Sequence, residues 1–522
     1  MNNVYIISMG CDKNRVDGEV MVGSLRHAGY NVINEPSQAQ VIIVNTCGFI
    51  SEAVQESIDL ILELADYKKA AMPLCGGLGA APPPCDGNCD SNFLANKKAA
   101  TPLCGGFDRG ATPPPCDGNC DSNFLANKTN GVCKALIVVG CMAARYKDEI
   151  ATAIPEADEI VGVGEYENIS SLVKKYLPLP SDDSSIKWQN PNSFLLRMYA
   201  REDDITPHIA YIKISEGCDN RCTYCTIPLI RGGYKSRLVE DILVECEQLY
   251  NLGAREFVLV AQDTALYGMD IYGRKALPEL IIKIAEIAKT DKNIWIRLMY
   301  IYPEHITPEL ITAMQLSQVC KYIDMPIQHS ETSILAQMGR KGSREELINL
   351  IQTLRNQIPN ISIRTTLMVG FPGETDSDFK NMLQFVKKIK FDRLGAFPYS
   401  QEEGTPAATF PQQVDSEIKS DRLNELMELQ QEIHFKNQES KIGKTEQVII
   451  DSSISSENEE DNDEDDDLSN YIGRTQYDTY DVDTIVYVHS KIPLTIGQFY
   501  NVCITGVNQY DLIGEILENE PS

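Results

Sequence analysis

The stretch Glu216-Gly-Cys218-Asp-Asn-Arg-Cys222-Thr-Tyr-Cys225-Thr-Ile-Pro228 sets three cysteines at C-x3-C-x2-C spacing on one short loop. Three thiolates so spaced suffice for three irons of a 4Fe–4S cluster, whereas cubane clusters normally take four cysteines. The fourth iron is left open, which marks a place where something other than the protein binds. Zinc is an alternative tenant, but it takes four ligands, often from C-x2-C pairs, and no completing partner lies nearby in the sequence. Three unrelated core thiols are the remaining reading, and the spacing favours the cluster.

A second set of cysteines is dispersed. Val4-Tyr-Ile-Ile-Ser-Met-Gly-Cys11, Val41-Ile-Ile-Val-Asn-Thr-Cys47 and Ala135-Leu-Ile-Val-Val-Gly-Cys141 are apolar, β-branched runs that each end in a cysteine. A helical pattern follows each one, near 16–28, 51–68 and 142–153. Strand–cysteine–helix repeated this way implies a doubly wound parallel sheet, whose strand C-termini line one edge where ligands bind. Cys11, Cys47 and Cys141 are therefore expected to meet in a second three-thiolate site. Gly10, Gly48 and Gly140 beside them allow tight turns. Single buried thiols are common in sheets, but three at equivalent strand ends point to a shared ligand.

These sites need a large scaffold, and 522 residues suggest two to four domains. From about 209 to 435, short apolar strands alternate with amphipathic helices; 211–215, 257–261, 294–298, 322–325, 361–369 and 392–397 are the strand candidates. This alternation implies a parallel, TIM-like α/β barrel, closed or nearly so, with chemistry at the strand C-termini. The 218–225 loop follows the first of these strands, as that rule requires. Hydrophobic (43%) and charged (23%) fractions are those of a soluble globular chain. No apolar run is long enough to span a bilayer, and the N-terminus lacks the basic segment and cleavage site of a signal. A cytoplasmic address is expected, where thiols stay reduced. The sixteen cysteines then suit metal binding or single burial better than disulfides. Cys246, Cys320 and Cys503 fall in helix or strand patterns and read as core thiols. A net charge of −28 argues against a large nucleic-acid surface.

Two three-cysteine sites, the second on a barrel of this kind, resemble the methylthiotransferases of the radical S-adenosylmethionine (SAM) superfamily. Met9-Gly-Cys-Asp-Lys-Asn-Arg-Val-Asp17, Phe371-Pro-Gly-Glu-Thr375, Pro398-Tyr-Ser-Gln-Glu-Glu-Gly-Thr-Pro406 and Asp511-Leu-Ile-Gly-Glu515 are similar to the branch that modifies an aspartate of ribosomal small-subunit protein 12. The tRNA-modifying branch usually carries glutamine–methionine–asparagine after the first cysteine. The resemblance covers 1–70, 131–450 and 470–520. It implies two 4Fe–4S clusters, one on Cys11, Cys47 and Cys141 and one on Cys218, Cys222 and Cys225. It also implies SAM at the open iron of the second cluster, where one electron from a low-potential donor yields a hydrogen-abstracting 5′-deoxyadenosyl radical. Another SAM methylates a sulfur held at the first cluster, and the substrate radical captures the methylthio group. Candidate SAM contacts are the polar residues at strand ends: Gln262, Asp263, Gln328, His329, Arg364 to Thr366 and Gly370, with Tyr224 against the adenine. Ordinary barrel packing is the alternative for each, and Arg231 and Arg237 could pair with carboxylates at the barrel mouth.

Two segments depart from the family pattern. Residues 71–130 hold a duplication in which Pro82-Pro-Pro-Cys-Asp-Gly-Asn-Cys-Asp-Ser-Asn-Phe-Leu-Ala-Asn-Lys97 recurs unchanged at 113–128. With three cysteines per copy it could bind metal, but its Pro, Gly and Asn content favours an inert surface insertion. Residues 452–469 carry nine acids between Glu457 and Asp467, a solvated loop by composition. The expected division is 1–165, a linker at 166–206, a barrel at 207–438, and a small β-barrel at 440–522 similar to the TRAM module. Such modules often bind RNA and should then be basic, yet 440–522 has four Lys or Arg against eighteen Asp or Glu. A basic ribosomal protein suits that charge and nucleic acid does not. The default oligomeric state is a monomer. The rival readings are a tRNA methylthiotransferase acting on a modified adenosine beside the anticodon, and an iron–sulfur carrier without its own chemistry.

Overall fold

The three N-terminal apolar runs become neighbouring parallel strands. The computed structural model describes residues 2–69, 132–179, 197–200, 206–288, 293–454 and 469–516. The duplicated insertion, residues 455–468 and most of the expected linker lie outside the described residues. Strands β1 (Asn3–Ser8), β2 (Asn31–Ile33), β3 (Val41–Thr46), β4 (Ala135–Gly140) and β5 (Glu159–Val161) form a parallel sheet in the order β2-β1-β3-β4-β5. Every residue of β3 and β4 is buried, which explains their unbroken apolar runs. Met21 and Leu25 of α1 (Asp12–His27) pack on one face with Val41 and Ile43. Ile61, Leu64 and Ala65 of α2 (Ser51–Lys69) pack on the other with Ile42 and Val44.

Three local features differ from the sequence expectation. Helix α1 starts at Asp12, directly after Cys11, because Asn14 donates its side-chain amide to the Met9 and Thr46 carbonyls and so turns a polar first turn inward. The third helix is broken at Tyr146 into Cys141–Arg145 and Lys147–Ala153. Helix Ile169–Tyr176, within the expected linker, buries Ile169 and Val173 in the N-terminal core together with Leu177. Their i, i+4, i+8 spacing gives the helix one apolar face.

The middle of the chain supplies β6 (Ile209–Lys213), a small hairpin of β7 (Ser215–Glu216) and β8 (Lys235–Ser236), then β9 (Glu256–Val260), β10 (Trp295–Leu298), β11 (Tyr322–Asp324), β12 (Ser362–Val369) and β13 (Arg393–Pro398). Two parallel three-stranded sheets, β10-β9-β6 and β11-β12-β13, are joined where Ile296 N donates to Gln318 O (2.7 Å) and Cys320 N to Ile296 O (3.0 Å). Among the described residues β6 and β13 do not pair, so this is an open barrel of six strands, three quarters of a TIM-like one. Helices cover its outside, with Cys246 in that core. The C-terminal segment forms a closed barrel of β14 (Thr445–Ser453), β15 (Ser469–Thr475), β16 (Val486–Ser490), β17 (Phe499–Asn508) and β18 (Asp511–Ile516), ordered β14-β15-β16-β18-β17.

That small barrel plugs the strand N-terminal end of the large one. Ile449 and Phe499 share a cluster with Ile209, Val258 and Trp295, and the Trp295 and Phe499 rings meet edge-on at 4.9 Å. Beneath them, buried Glu256 of β9 accepts from Arg297 (2.6 Å) and from Arg474 of β15 (2.8 Å). Burial alone would raise its pKa, but the two guanidiniums hold it down at about 2. The contribution of this pair is therefore complete above the ordinary carboxyl value of about 4.3 and is lost as pH falls through about 2. Glu256→Gln should destabilise the protein by about 3–5 kcal/mol near neutral pH, because two buried guanidiniums lose their counter-charge. The difference between variant and wild type in thermal denaturation should shrink on acidification across that window.

Candidate active site

The 218–225 loop is pinched at its base by the β7–β8 hairpin. Gly217 adopts φ +78°, and a Cβ there would lie 2.1 Å from the Gly233 carbonyl oxygen, so only glycine closes the hairpin. Within the loop Cys218 N donates to Gly232 O (3.1 Å) and Cys225 N to Cys222 O (3.1 Å), while Thr223 N donates to Met338 O (3.0 Å). Cys218 and Cys222 are each 7% exposed, and Cys222 Sγ lies 2.7 Å from the Tyr302 hydroxyl. Burial pushes the Cys218 thiol up to about 11 and the Cys225 thiol up to about 12, and each also feels Cys222. Metal binding to such thiols releases protons.

Cys11, Cys47 and Cys141 stand at the C-terminal ends of β1, β3 and β4. They are close enough that Cys11 and Cys47 both raise the pKa of Cys141, which burial already pushes to about 11. The approach of their loops is extreme. A Cβ on Gly48 would lie 2.7 Å from both Cα and N of Met142. Arg231, from the barrel, donates to Cys141 Sγ (3.2 Å) and to Asn14 Oδ1 (2.5 Å). Among the described residues, no three His, Cys, Asp or Glu side chains close on one point as ligands of a single ion do. A cubane takes each thiolate at a different iron.

The whole N-terminal triad, Cys11, Cys47 and Cys141, and Cys225 of the barrel loop line one cavity of about 350 Å3. Tyr224, Gln262 and Gln328 also line it, with the aromatic rings of Tyr300, Tyr302 and Tyr399. Gln262 Oε1, Gln328 Oε1, Arg340 Nε and Tyr399 Oη, all on cavity-lining residues, are buried without a hydrogen-bond partner. Gln262 has already committed its amide donor to Glu216 (2.7 Å). Native interiors rarely leave such atoms unpaired; these fit a ligand rich in donors and acceptors, as SAM is. Tyr300 (φ +58°) and Gln328 (φ +68°) hold left-handed backbones at the wall, a strain that tends to collect at functional sites.

Several sequence candidates lie elsewhere. Buried Asp263 accepts from Asn220 (2.8 Å) and sits 2.7 Å from His305 Nδ1. It braces the cluster loop and does not line the cavity. Arg364 lies lower on β12, 3.2 Å from Asp324 and 3.5 Å from Asp483 of the C-terminal barrel. Gly370 donates its N–H to Glu374 (2.8 Å) and faces the Lys419 side chain behind the wall. Arg231 pairs with Glu216 (3.0 Å) and Asp17 (3.3 Å), and Arg237 with Glu245 (2.6 Å). Lys13, Tyr300, Tyr302, Arg340, Met368, Tyr399 and Glu402 were not foreseen as cavity residues. Tyr302 carried a signal, since it follows β10 at the productive end of the barrel. Lys13, Tyr399 and Glu402 sat inside quoted motifs without an assigned role.

The cluster loop on the first strand of an open α/β barrel defines a radical SAM enzyme, and residues 212–386 match the Radical SAM superfamily. Residues 442–517 match the TRAM domain, and residues 3–81 match Uncharacterized protein family UPF0004. As a radical SAM protein it uses an iron–sulfur cluster and SAM. The chain belongs to the RimO family of methylthiotransferases. It is 41% identical over 519 residues to the ribosomal protein uS12 methylthiotransferase RimO of Clostridioides difficile, covering 99% of each chain. It is 39% identical over 524 residues to RimO of Acetivibrio thermocellus, again covering 99% of each. Among solved structures, the radical SAM methyltransferase TsrM of Kitasatospora setae aligns with a TM-score of 0.48 at 12% identity, over 78% of this chain and 77% of that one.

Gly48→Ala should disturb the approach of the Cys47 and Cys141 loops and spare the iron–sulfur centre of the 218–225 loop, read by Mössbauer spectroscopy. The clash with Met142 backbone should also cost about 1–3 kcal/mol of stability.

Proposed function

We propose that this protein adds a methylthio group to the β-carbon of an aspartate in ribosomal protein uS12. The observation that carries this reading is one cavity lined by Cys11, Cys47 and Cys141 together with Cys225 of the barrel loop, in a chain alignable end to end with RimO relatives. Two 4Fe–4S clusters are proposed, one on Cys11, Cys47 and Cys141, the other on Cys218, Cys222 and Cys225. Bound there, the clusters and SAM would supply hydrogen-atom abstraction from an unactivated C–H bond and a methylated sulfur for transfer.

The chain's own residues do the rest. Gln262 and Gln328 present free acceptors to SAM's donors, and Tyr224, between two cluster cysteines, offers a ring face to the adenine. Tyr302 donates to Cys222 sulfur, and hydrogen bonds to a cluster thiolate raise its potential. Arg231 does the same for Cys141. Phe49, Ile50, Met368 and Phe397 give the cavity an apolar wall, which keeps water from the reacting groups. The division at 1–165, 166–206, 207–438 and 440–522 is proposed with the N-terminal unit extended through Leu177. Asp263, Arg364 and Gly370 are proposed as supports of the site, the first through the cluster loop. A low-potential electron donor, a monomeric state and a cytoplasmic location complete the reading; among the described residues no helix is long and apolar enough to cross a membrane.

The test is an anaerobic reaction of the reconstituted protein with SAM, sulfide and reductant, offered uS12 and, separately, tRNA. Mass spectrometry should find a methylthio group on the uS12 aspartate; modification of tRNA alone overturns the substrate. Cys11→Ala should still form deoxyadenosine from SAM but yield no methylthiolated product, whereas Cys222→Ala should lose both. Product from the Cys11→Ala enzyme would remove the sulfur role of the N-terminal triad.

A further inference from the structure

Among the described residues that line the cavity, Lys13 is the one cation with no carboxylate at ion-pair distance, although it feels the charge of Asp324 from further away. Its side chain is 7% exposed and lines the cavity two residues from Cys11. The ammonium lies over the Tyr300 ring, 3.4 Å from its centroid, and its oxygen partner is the Ala261 carbonyl at a long 3.4 Å. No described carboxylate lies within ion-pair distance of it. Its near neighbours are already engaged: Asp12 accepts from the Tyr300 hydroxyl (2.9 Å), and Asp324 is held by Arg364 (3.2 Å) and Tyr300 N (3.2 Å). The other two cavity cations are compensated, Arg231 by Glu216 and Asp17, and Arg340 by Glu304 at 3.7 Å.

A desolvated ammonium is tolerated only when its charge is answered. The ring face answers part of it, Asp324 answers more from beyond ion-pair distance, and an anionic ligand would complete the balance. The position says which ligand. Lys13 projects from the N-terminal triad onto Ala261, the residue before Gln262, and so stands at the seam between the two sulfur-bearing loops. The group that receives sulfur has to come to the same seam.

We propose that Lys13 binds the side-chain carboxylate of the acceptor aspartate and so sets the carbon beside it between the triads. This rests on the aspartate reading of the function above. Lys13 is then a binding and specificity residue, which separates aspartate from asparagine by charge while Tyr300 holds the ammonium in line.

The experiment measures anaerobic binding of uS12, carrying either its acceptor aspartate or asparagine there, to the cluster-loaded full-length protein, with methylthiolation followed in parallel. Wild type should bind the aspartate form roughly 30-fold or more tighter, the size expected when one partner of a buried charge pair is removed. K13M should bind both forms alike, at the level of wild type with asparagine, and K13R should keep a reduced preference. A K13M protein that keeps the aspartate preference, or that weakens both forms equally, overturns the assignment. So does a wild type indifferent to the substitution, which needs no variant to load its clusters. If uS12 is methylthiolated while K13M still prefers aspartate, only the anchor fails. If wild type modifies tRNA and not uS12, the functional reading fails and the anchor with it.

Discussion

Two buried cations and two carboxylates form the joint on which the site depends. Asp17 comes from α1 of the N-terminal unit; Lys213, Glu216 and Arg231 come from the barrel. Lys213 Nζ bonds both Asp17 and Glu216, Arg231 bridges the same two carboxylates, and Tyr166 donates to Asp17 at 2.8 Å. Burying four charges gives little net stability, and its better-attested effect is to fix geometry. Here two positive and two negative groups balance only when the sheet edge is docked in one orientation. Burial alone would raise the Glu216 pKa, but Lys213 and Arg231 hold it well below the usual carboxylate range. Protonation therefore does not loosen the joint near neutral pH. The second guanidinium nitrogen of Arg231 continues to Asn14 and Cys141, so the side chain that closes the interface also touches the first triad.

A second clasp lies across the cavity. Arg145, four residues after Cys141, meets buried Glu402 at 2.8 Å and donates to Gly48 O at 3.2 Å. The other Glu402 oxygen accepts from both the backbone N–H and the hydroxyl of Ser51, each at 3.1 Å, at the start of α2. A carboxylate at a helix N-terminus is also favoured by the helix dipole. The Arg231 joint and the Glu402 clasp therefore hold the Cys47 and Cys141 loops from two sides. Transfer of a methylthio group needs its reacting groups at a fixed separation, because small displacements are costly in rate.

The cysteines and their strands were legible because each triad obeys a local rule: close spacing on one loop, or an apolar run ending in cysteine. Both rules name strand C-termini, and parallel topology brings those together. The same rule names the Arg364-to-Thr366 segment without fixing which residue faces the cavity. Residues 364, 366 and 368 share one face of the eight-residue β12, yet only Thr366 and Met368 lie high enough to reach the cavity. Asp263 follows a strand as expected, but the adjacent Gln262 takes the inward position. Lys13, Arg145 and Glu402 were unreadable as site residues because their partners are 248 and 257 positions away, a distance at which pairing leaves no local pattern. Helix Ile169–Tyr176 leaves a weak sequence signal because it spans only eight residues.

The C-terminal barrel adds an argument about the partner that composition alone only began. Its four cations face eighteen acids across 440–522, but a cation counts toward phosphate binding only where solvent can reach it. Arg474 cannot serve: it is buried and bonded to Asp451 (2.7 Å) and to Glu256 of the large barrel. The large barrel's Arg393 is likewise turned inward, bonded to Asp478. The guanidiniums in and beside the module therefore hold the two barrels together, and three lysines remain to offset its acids. A module that binds nucleic acid would carry its arginines outward, where they neutralise phosphates and release counterions. This one turns its single arginine inward, and its net negative charge by sequence suits a basic protein approaching from a distance. The same charge distribution that docks the small barrel thus supports a protein acceptor over an RNA one.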